Sequence, residues 1–170
     1  MSHPDGGGKG MLVSFDRLVS DLGEAVKTYY GPRLTSLAVF GSVARGTPGP
    51  ISDLDALIIA DPLPRGRIGR VEEFEGVEAS LTGRLEELKR AGVDARISPV
   101  FRTPTEVLQY GGPIFLDMTE HVIILHDRRD FLRDYLARLK TGLAAKGARR
   151  LSWRGVSYWD LGEERGDRDL

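Results

Sequence analysis

The run Phe40-Gly41-Ser42-Val43-Ala44-Arg45-Gly46, followed by Ser52-Asp53-Leu54-Asp55, holds the residues best suited to chemistry. A Gly-Ser turn after an apolar run exposes backbone N–H groups, and such groups suit phosphate oxygens. Asp53 and Asp55 stand one residue apart on a stretch that reads as a strand, so both carboxylates point to one face. Carboxylate pairs of this kind hold hard cations such as magnesium. Gly41 permits a close backbone approach that a side chain would block. The Ser42 hydroxyl adds a donor. Arg45 either makes a charge-assisted contact to a phosphate or faces solvent. A phosphate cradle beside a hard-cation site implies an enzyme that uses nucleotides.

The surrounding elements must hold that arrangement in place. Apolar residues Phe15, Leu18, Val19, Leu22, Val26 and Tyr29 form a helical stripe over residues 14–30, stopped by Gly31-Pro32. Leu34 to Phe40 reads as a buried strand, and Asp53 to Ala60 as a second. On the second strand Leu57 and Ile59 continue the Asp53/Asp55 face, with Leu54, Ala56 and Ile58 opposite. Val71, Phe74, Leu81, Leu85 and Leu88 mark a long helix over residues 70–91. A third strand follows over 95–101, where Pro99 points to a sheet edge or a bulge. Thr103-Pro104-Thr105-Glu106 has the wording of a capped helix start. A short helix over 113–120, a strand over 122–125 and a helix over 130–145 complete the order. Residues 150–161 read as a hairpin turning at Arg154-Gly155, with Trp153 and Trp159 packing back, and the charged tail from Gly162 as loose.

The expected fold is therefore α+β in two layers: a mixed sheet of about four to five strands with helices mainly on one face. Residues 1–13 are expected as a flexible lead-in, 14–146 as the domain proper and 147–170 as a C-terminal extension.

Gly41-Ser42, then Asp53-Leu54-Asp55, each after an apolar run, resembles the nucleotidyltransferase superfamily typified by DNA polymerase beta. The small size and the Gly-Ser-Val-Ala-Arg-Gly wording resemble its minimal bacterial and archaeal members. So do Ile97-Ser98-Pro99-Val100, Phe115-Leu116-Asp117-Met118 and Tyr158-Trp159-Asp160-Leu161. The resemblance implies the nucleotidyltransferase fold and transfer of a nucleoside monophosphate from ATP or another triphosphate to a hydroxyl. It implies magnesium, with manganese as the alternative, held by Asp53 and Asp55, and phosphates held at Gly41, Ser42 and Arg45. It also implies a third catalytic and metal-binding carboxylate on a later strand. The candidate is Asp94, which shares parity with Arg96 and Ser98. A second reading is an antitoxin-like or nucleotide-binding module with weak or no turnover, paired with a helical partner of the HEPN type.

Composition narrows the remaining classes. The 170 residues carry a net charge of −1, against a general basic nucleic-acid binder, although an RNA contact stays open. The absence of cysteine excludes disulfides and thiolate metal sites and fits a reducing interior. No signal-peptide pattern and no membrane-length apolar run is present, so the expected compartment is the cytoplasm. Gly6 to Gly10 follows no strand, and Gly41 to Gly46 lacks the Lys-Ser/Thr of a Walker loop. His121 and His126 fall on opposite sides of a strand, against a zinc site. The basic run Lys146 to Arg154 reads as a solvated face. Exposed residues on the second helix could serve a homo-oligomer, and nothing in the sequence fixes that.

Overall fold

The computed structural model describes residues 6–153 and 156–161. Helix α1 (Gly6–Tyr30) leads by a short 3-10 turn into strand β1 (Leu34–Phe40), which ends in the single-turn helix α2 (Gly41–Ala44). Strand β2 (Asp53–Ala60), helix α3 (Gly66–Arg90) and strand β3 (Arg96–Arg102) follow. Then come helices α4 (Pro104–Tyr110) and α5 (Pro113–Met118), strand β4 (Ile123–Asp127) and helix α6 (Phe131–Ala145). Strands β5 (Arg149–Trp153) and β6 (Val156–Asp160) pair as a separate antiparallel ribbon.

The main sheet has the order β3-β2-β1-β4. Strand β1 runs antiparallel to both neighbours, while β2 and β3 are parallel and joined through α3. The sheet is mixed, as expected. Pro99 sits on the edge strand, where a missing N–H costs no ladder bond to a second neighbour.

The alternation expected on β2 is what divides the core. Leu54, Ala56, Ile58 and Ala60 join the stripe of α1 (Phe15, Leu18, Leu22, Val26, Tyr30) and Phe74, Val77, Leu81 and Leu88 of α3. Leu57 and Ile59 pack on the other face with Val107 of α4, Phe115 and Met118 of α5, and Leu132 and Leu136 of α6. The two long helices thus share one face, and the three shorter ones cover the far part of the other. That partial cover leaves the start of β2 open.

Three local differences from the sequence reading have physical causes. Helix α1 begins at Gly6, inside the expected lead-in, so the glycines there do not prevent a helical backbone; residues 1–5 lie outside the described residues. Tyr30, not Tyr29, completes the buried stripe, because four residues after Val26 return to the core side while Tyr29 stays 43 % exposed. Helix α2 stands where the sequence reads as a Gly-Ser turn; Phe40 in extended conformation caps it, and buried Val43 anchors it. The ribbon is tied to α5 through Asp117, whose Oδ1 accepts from Trp159 Nε1 at 3.3 Å and lies 3.7 Å from Arg150 Nη2. The turn at 154–155, the side chain of Trp153 and the tail lie outside the described residues.

Helix α4 starts with the capping box read from the sequence. The Glu106 N–H donates to Thr103 Oγ1 at 3.2 Å, and the Thr103 N–H donates to Glu106 Oε2 at 2.8 Å. Arg70 of α3 also donates to both Glu106 oxygens, at 2.8 and 2.7 Å, and holds that carboxyl below the usual carboxylate range. Glu106→Ala removes a cap and leaves Arg70 unpaired, at an expected cost of about 1–2 kcal/mol. The melting temperature should fall by roughly 2–8 °C for a chain of this size. Because the folded pKa is depressed, the contribution is present above the ordinary glutamate pKa and lost as pH falls through the lowered one. The gap between wild type and variant should therefore close in acid, which thermal melts across pH would read.

Candidate active site

The end of β1 and the start of β2 meet at one point. Phe40 pairs with Asp55 across the antiparallel ladder, so the turn that begins at Gly41 lies against the Asp55 carboxylate. A Cβ placed on Gly41 would stand 2.2 Å from Asp55 Oδ2, and Gly41 itself adopts φ +72°. No other residue type fits there without moving that carboxylate. The Gly41 turn and Asp55 therefore lie in contact, with Asp53 two residues earlier on the same strand.

The first turn of α2 leaves its leading amides without intrahelical acceptors. The turn is closed by the Arg45 N–H to the Gly41 carbonyl at 3.2 Å. The following loop folds back, with the Thr47 N–H donating to the Ser42 carbonyl at 2.9 Å and the Gly49 N–H to Ser52 Oγ at 2.7 Å. These bonds hold the loop between the cradle and the acids while leaving the Ser42 hydroxyl uncommitted among the described residues.

Asp53 is exposed and Asp55 half-buried on the open stretch of the sheet face. Burial pushes the Asp55 carboxyl above its ordinary pKa; the Ser98 hydroxyl bonded to it opposes this, Asp53 adds to it, and Arg45 opposes it. Arg45 is exposed at the end of α2, and its field reaches the pair. A crowded pair of oxygen donors, one made reluctant to ionise by its surroundings, is the donor set a hard divalent cation would relieve. The donor set fits a hard divalent cation.

Asp94 does not join them. Its N–H donates to the Pro50 carbonyl at 3.0 Å, which places it beside the loop entering β2, and its side chain is exposed. Arg96 is the residue opposite Asp53, and Ser98 the one opposite Asp55. Asp94 therefore precedes the strand by two residues, as the residue opposite Asp53 is Arg96. Among the described residues no group of three His, Cys, Asp or Glu side chains could hold a metal. The third position beside the pair belongs to a serine. Ser98, which the sequence reading placed on one face with Asp94 and Arg96, stands opposite Asp55 in the parallel register of β2 and β3.

Ser98→Ala should remove the hydroxyl that opposes the upward shift of Asp55 and let its pKa rise further. The acid limb of the rate profile should move to higher pH, with roughly tenfold lower kcat/KM on that limb. An unchanged profile would exclude Ser98 from the site.

Residues 19–110, more than half of the chain, match the model of the nucleotidyltransferase domain family. The chain belongs to that family. A relative in Methanocaldococcus jannaschii, MJ1305, assigned as a protein adenylyltransferase, is 32 % identical over 126 residues, covering 74 % of this chain and 80 % of that protein. One chain of a toxin-antitoxin crystal structure with AMP-PNP matches at TM-score 0.44 and 14 % identity, covering 78 % of this chain and 91 % of that one. A chain of the tri-AMPylated Shewanella oneidensis HEPN toxin in complex with MNT antitoxin matches at TM-score 0.41 and 13 % identity, covering 79 % and 91 %. Structural likeness at that level leaves the chemistry of this nucleotidyltransferase to its own residues. Its reaction is transfer of a nucleotidyl group. No helix among the described residues is long and apolar enough to cross a membrane.

Proposed function

We propose that this nucleotidyltransferase moves the nucleoside monophosphate of ATP onto a hydroxyl of a protein, in the cytoplasm. The observation that carries the reading is the contact of the Gly41 turn with Asp55, which makes one site of a phosphate cradle and an acid pair. The protein acceptor and the adenylyl donor are supported by the assignment of the archaeal relative.

In the reaction the acceptor oxygen bonds to the α-phosphorus, the bond to the bridging oxygen breaks, and pyrophosphate leaves. Asp53 and Asp55 would hold magnesium, or manganese in its place. When bound, that ion offsets charge on the attacking and departing oxygens. The amides of Gly41 and Ser42 and the Ser42 hydroxyl receive the outer phosphates, and Arg45 adds a positive field on the departing side. With serine on β3, removal of the acceptor proton falls to an oxygen of the Asp53–Asp55 pair.

The acceptor arrives in trans, and a helical protein of the HEPN type is the first to test. The experiment is incubation with each α-labelled triphosphate and magnesium, with and without a protein of that type. Label from α-labelled but not γ-labelled ATP should appear on protein. Label on RNA or on a small molecule alone would overturn the acceptor class, and no label from any donor would overturn the activity.

A further inference from the structure

A second recessed surface lies at the β3 edge of the sheet. A cleft of about 430 Å³ runs along edge strand β3 over residues 99–102, walled by Arg67, Arg70 and Val71 of α3 and by Glu106. It begins at the residue after Ser98, and Ser98 stands opposite Asp55. The cleft is thus continuous in strand with the site.

Its charge is unbalanced. Arg70 is neutralised by Glu106 in a two-bond pair and further fixed by the Pro64 carbonyl at 2.9 Å. Arg67 is exposed and forms no ion pair among the described residues. Arg102 donates to the Phe101 carbonyl at 2.8 Å and likewise has no carboxylate in an ion pair. Three guanidinium groups thus line the cleft with one carboxylate, Glu106, whose pKa Arg70 and Arg102 both lower, and the lining keeps a net positive charge. Apolar residues Ile68 and Val71, 77 % and 41 % exposed, flank it on α3. β3 has a sheet neighbour on one side only. A strand edge, a trough beside it and a surplus of arginine over carboxylate suit an extended chain carrying carboxylates.

We infer that the acceptor of this enzyme is presented on an extended, acidic segment of polypeptide lying along β3, its carboxylates on Arg67 and Arg102. This rests on the protein-acceptor reading above and specifies the partner's chemistry. Geometry also sets a spacing. Ser98 and Arg102 are four residues apart, or about 13 Å at ~3.3 Å per residue. An extended segment covers that length in about four residues, so its acidic side chains stand about four residues from the hydroxyl that is modified.

The test uses the full chain and fluorescein-labelled synthetic peptides, each with one tyrosine. One carries Asp-Glu-Glu centred four residues from it, a second carries Asn-Gln-Gln there, and a third places the acids next to the tyrosine. Fluorescence anisotropy should show the first binding roughly tenfold more tightly than the second, an electrostatic preference that falls with salt. The Arg67→Glu/Arg102→Glu variant should abolish that preference, with the melting-temperature rise on adding ATP and magnesium as its control for fold. Given labelled ATP, the first peptide should also be modified faster than the third. Equal affinity for acidic and neutral peptides, or a preference that survives charge reversal, would overturn the inference. Transfer to all three peptides alike would keep the proposed function and remove the cleft from it. Selective binding without transfer to any protein would do the reverse.

Discussion

Asp53→Asn and Asp55→Asn are each expected to lower nucleotidyl transfer by about 10³-fold, a loss of roughly 4 kcal/mol of transition-state stabilisation. Each substitution keeps the side-chain volume and removes one anionic oxygen donor from the only acid pair the site possesses. The cost to the fold has the opposite sign. Asp55 is held above its ordinary pKa by burial and by Asp53, so its ionisation opposes folding. The apo Asp55→Asn protein should therefore melt at or above the wild-type temperature at neutral pH. The sign follows from linkage: a raised folded pKa means stability is greatest below the ordinary aspartate pKa and declines as pH rises through the folded value. The advantage of asparagine should shrink in acid, where wild-type Asp55 is neutral too. Adding ATP and magnesium should reverse the order, since a ligand at a hundred times its Kd stabilises the binding-competent protein by about 2.7 kcal/mol. A variant that melts normally and transfers at the wild-type rate would dismiss the pair as the catalytic centre.

The acids were legible because strand parity is a local rule. Once Asp53 to Ala60 reads as a strand, Asp55 must share a face with Leu57 and Ile59, and the two buried clusters follow that alternation. The meeting of Gly41 with Asp55 was legible for a similar reason: two apolar runs joined by a short loop pair antiparallel. The place of Asp94 depends on register between β2 and β3, elements separated by the whole of α3. A strand's parity gives its face but not its offset, and a shift of four residues separates Asp94 from Ser98. The cleft beside β3 was illegible for a related reason. Its walls come from the start of α3, the end of β3 and the start of α4, and nothing in the spacing of Arg67, Arg70 and Arg102 shows which of them Glu106 will neutralise. Tyr29 and Tyr30 show the limit at its smallest scale, since one step along a helix exchanges core for surface.

Gly41→Ala should separate what the site needs from what the fold needs. Holding a non-glycine residue at φ +72° costs about 1–2 kcal/mol. The new methyl also meets Asp55 Oδ2 at 2.2 Å and Asp55 Cγ at 3.2 Å in the unrelaxed geometry. Asp55 is short and half-buried, so relief comes mainly by turning its carboxylate away. The fold tolerates that movement. A reacting centre does not, because displacement of the order of 1 Å costs about 10²-fold in rate. Transfer should thus fall by about two orders of magnitude while thermal melts record only the backbone strain and part of the clash. Asp55→Ala removes the clashing oxygen, so in that background Gly41→Ala should cost less stability than in wild type. The difference between the two costs is the coupling energy of the pair. Additive costs would mean that the turn and the carboxylate do not touch, and the cradle and the acids would then be two features rather than one site.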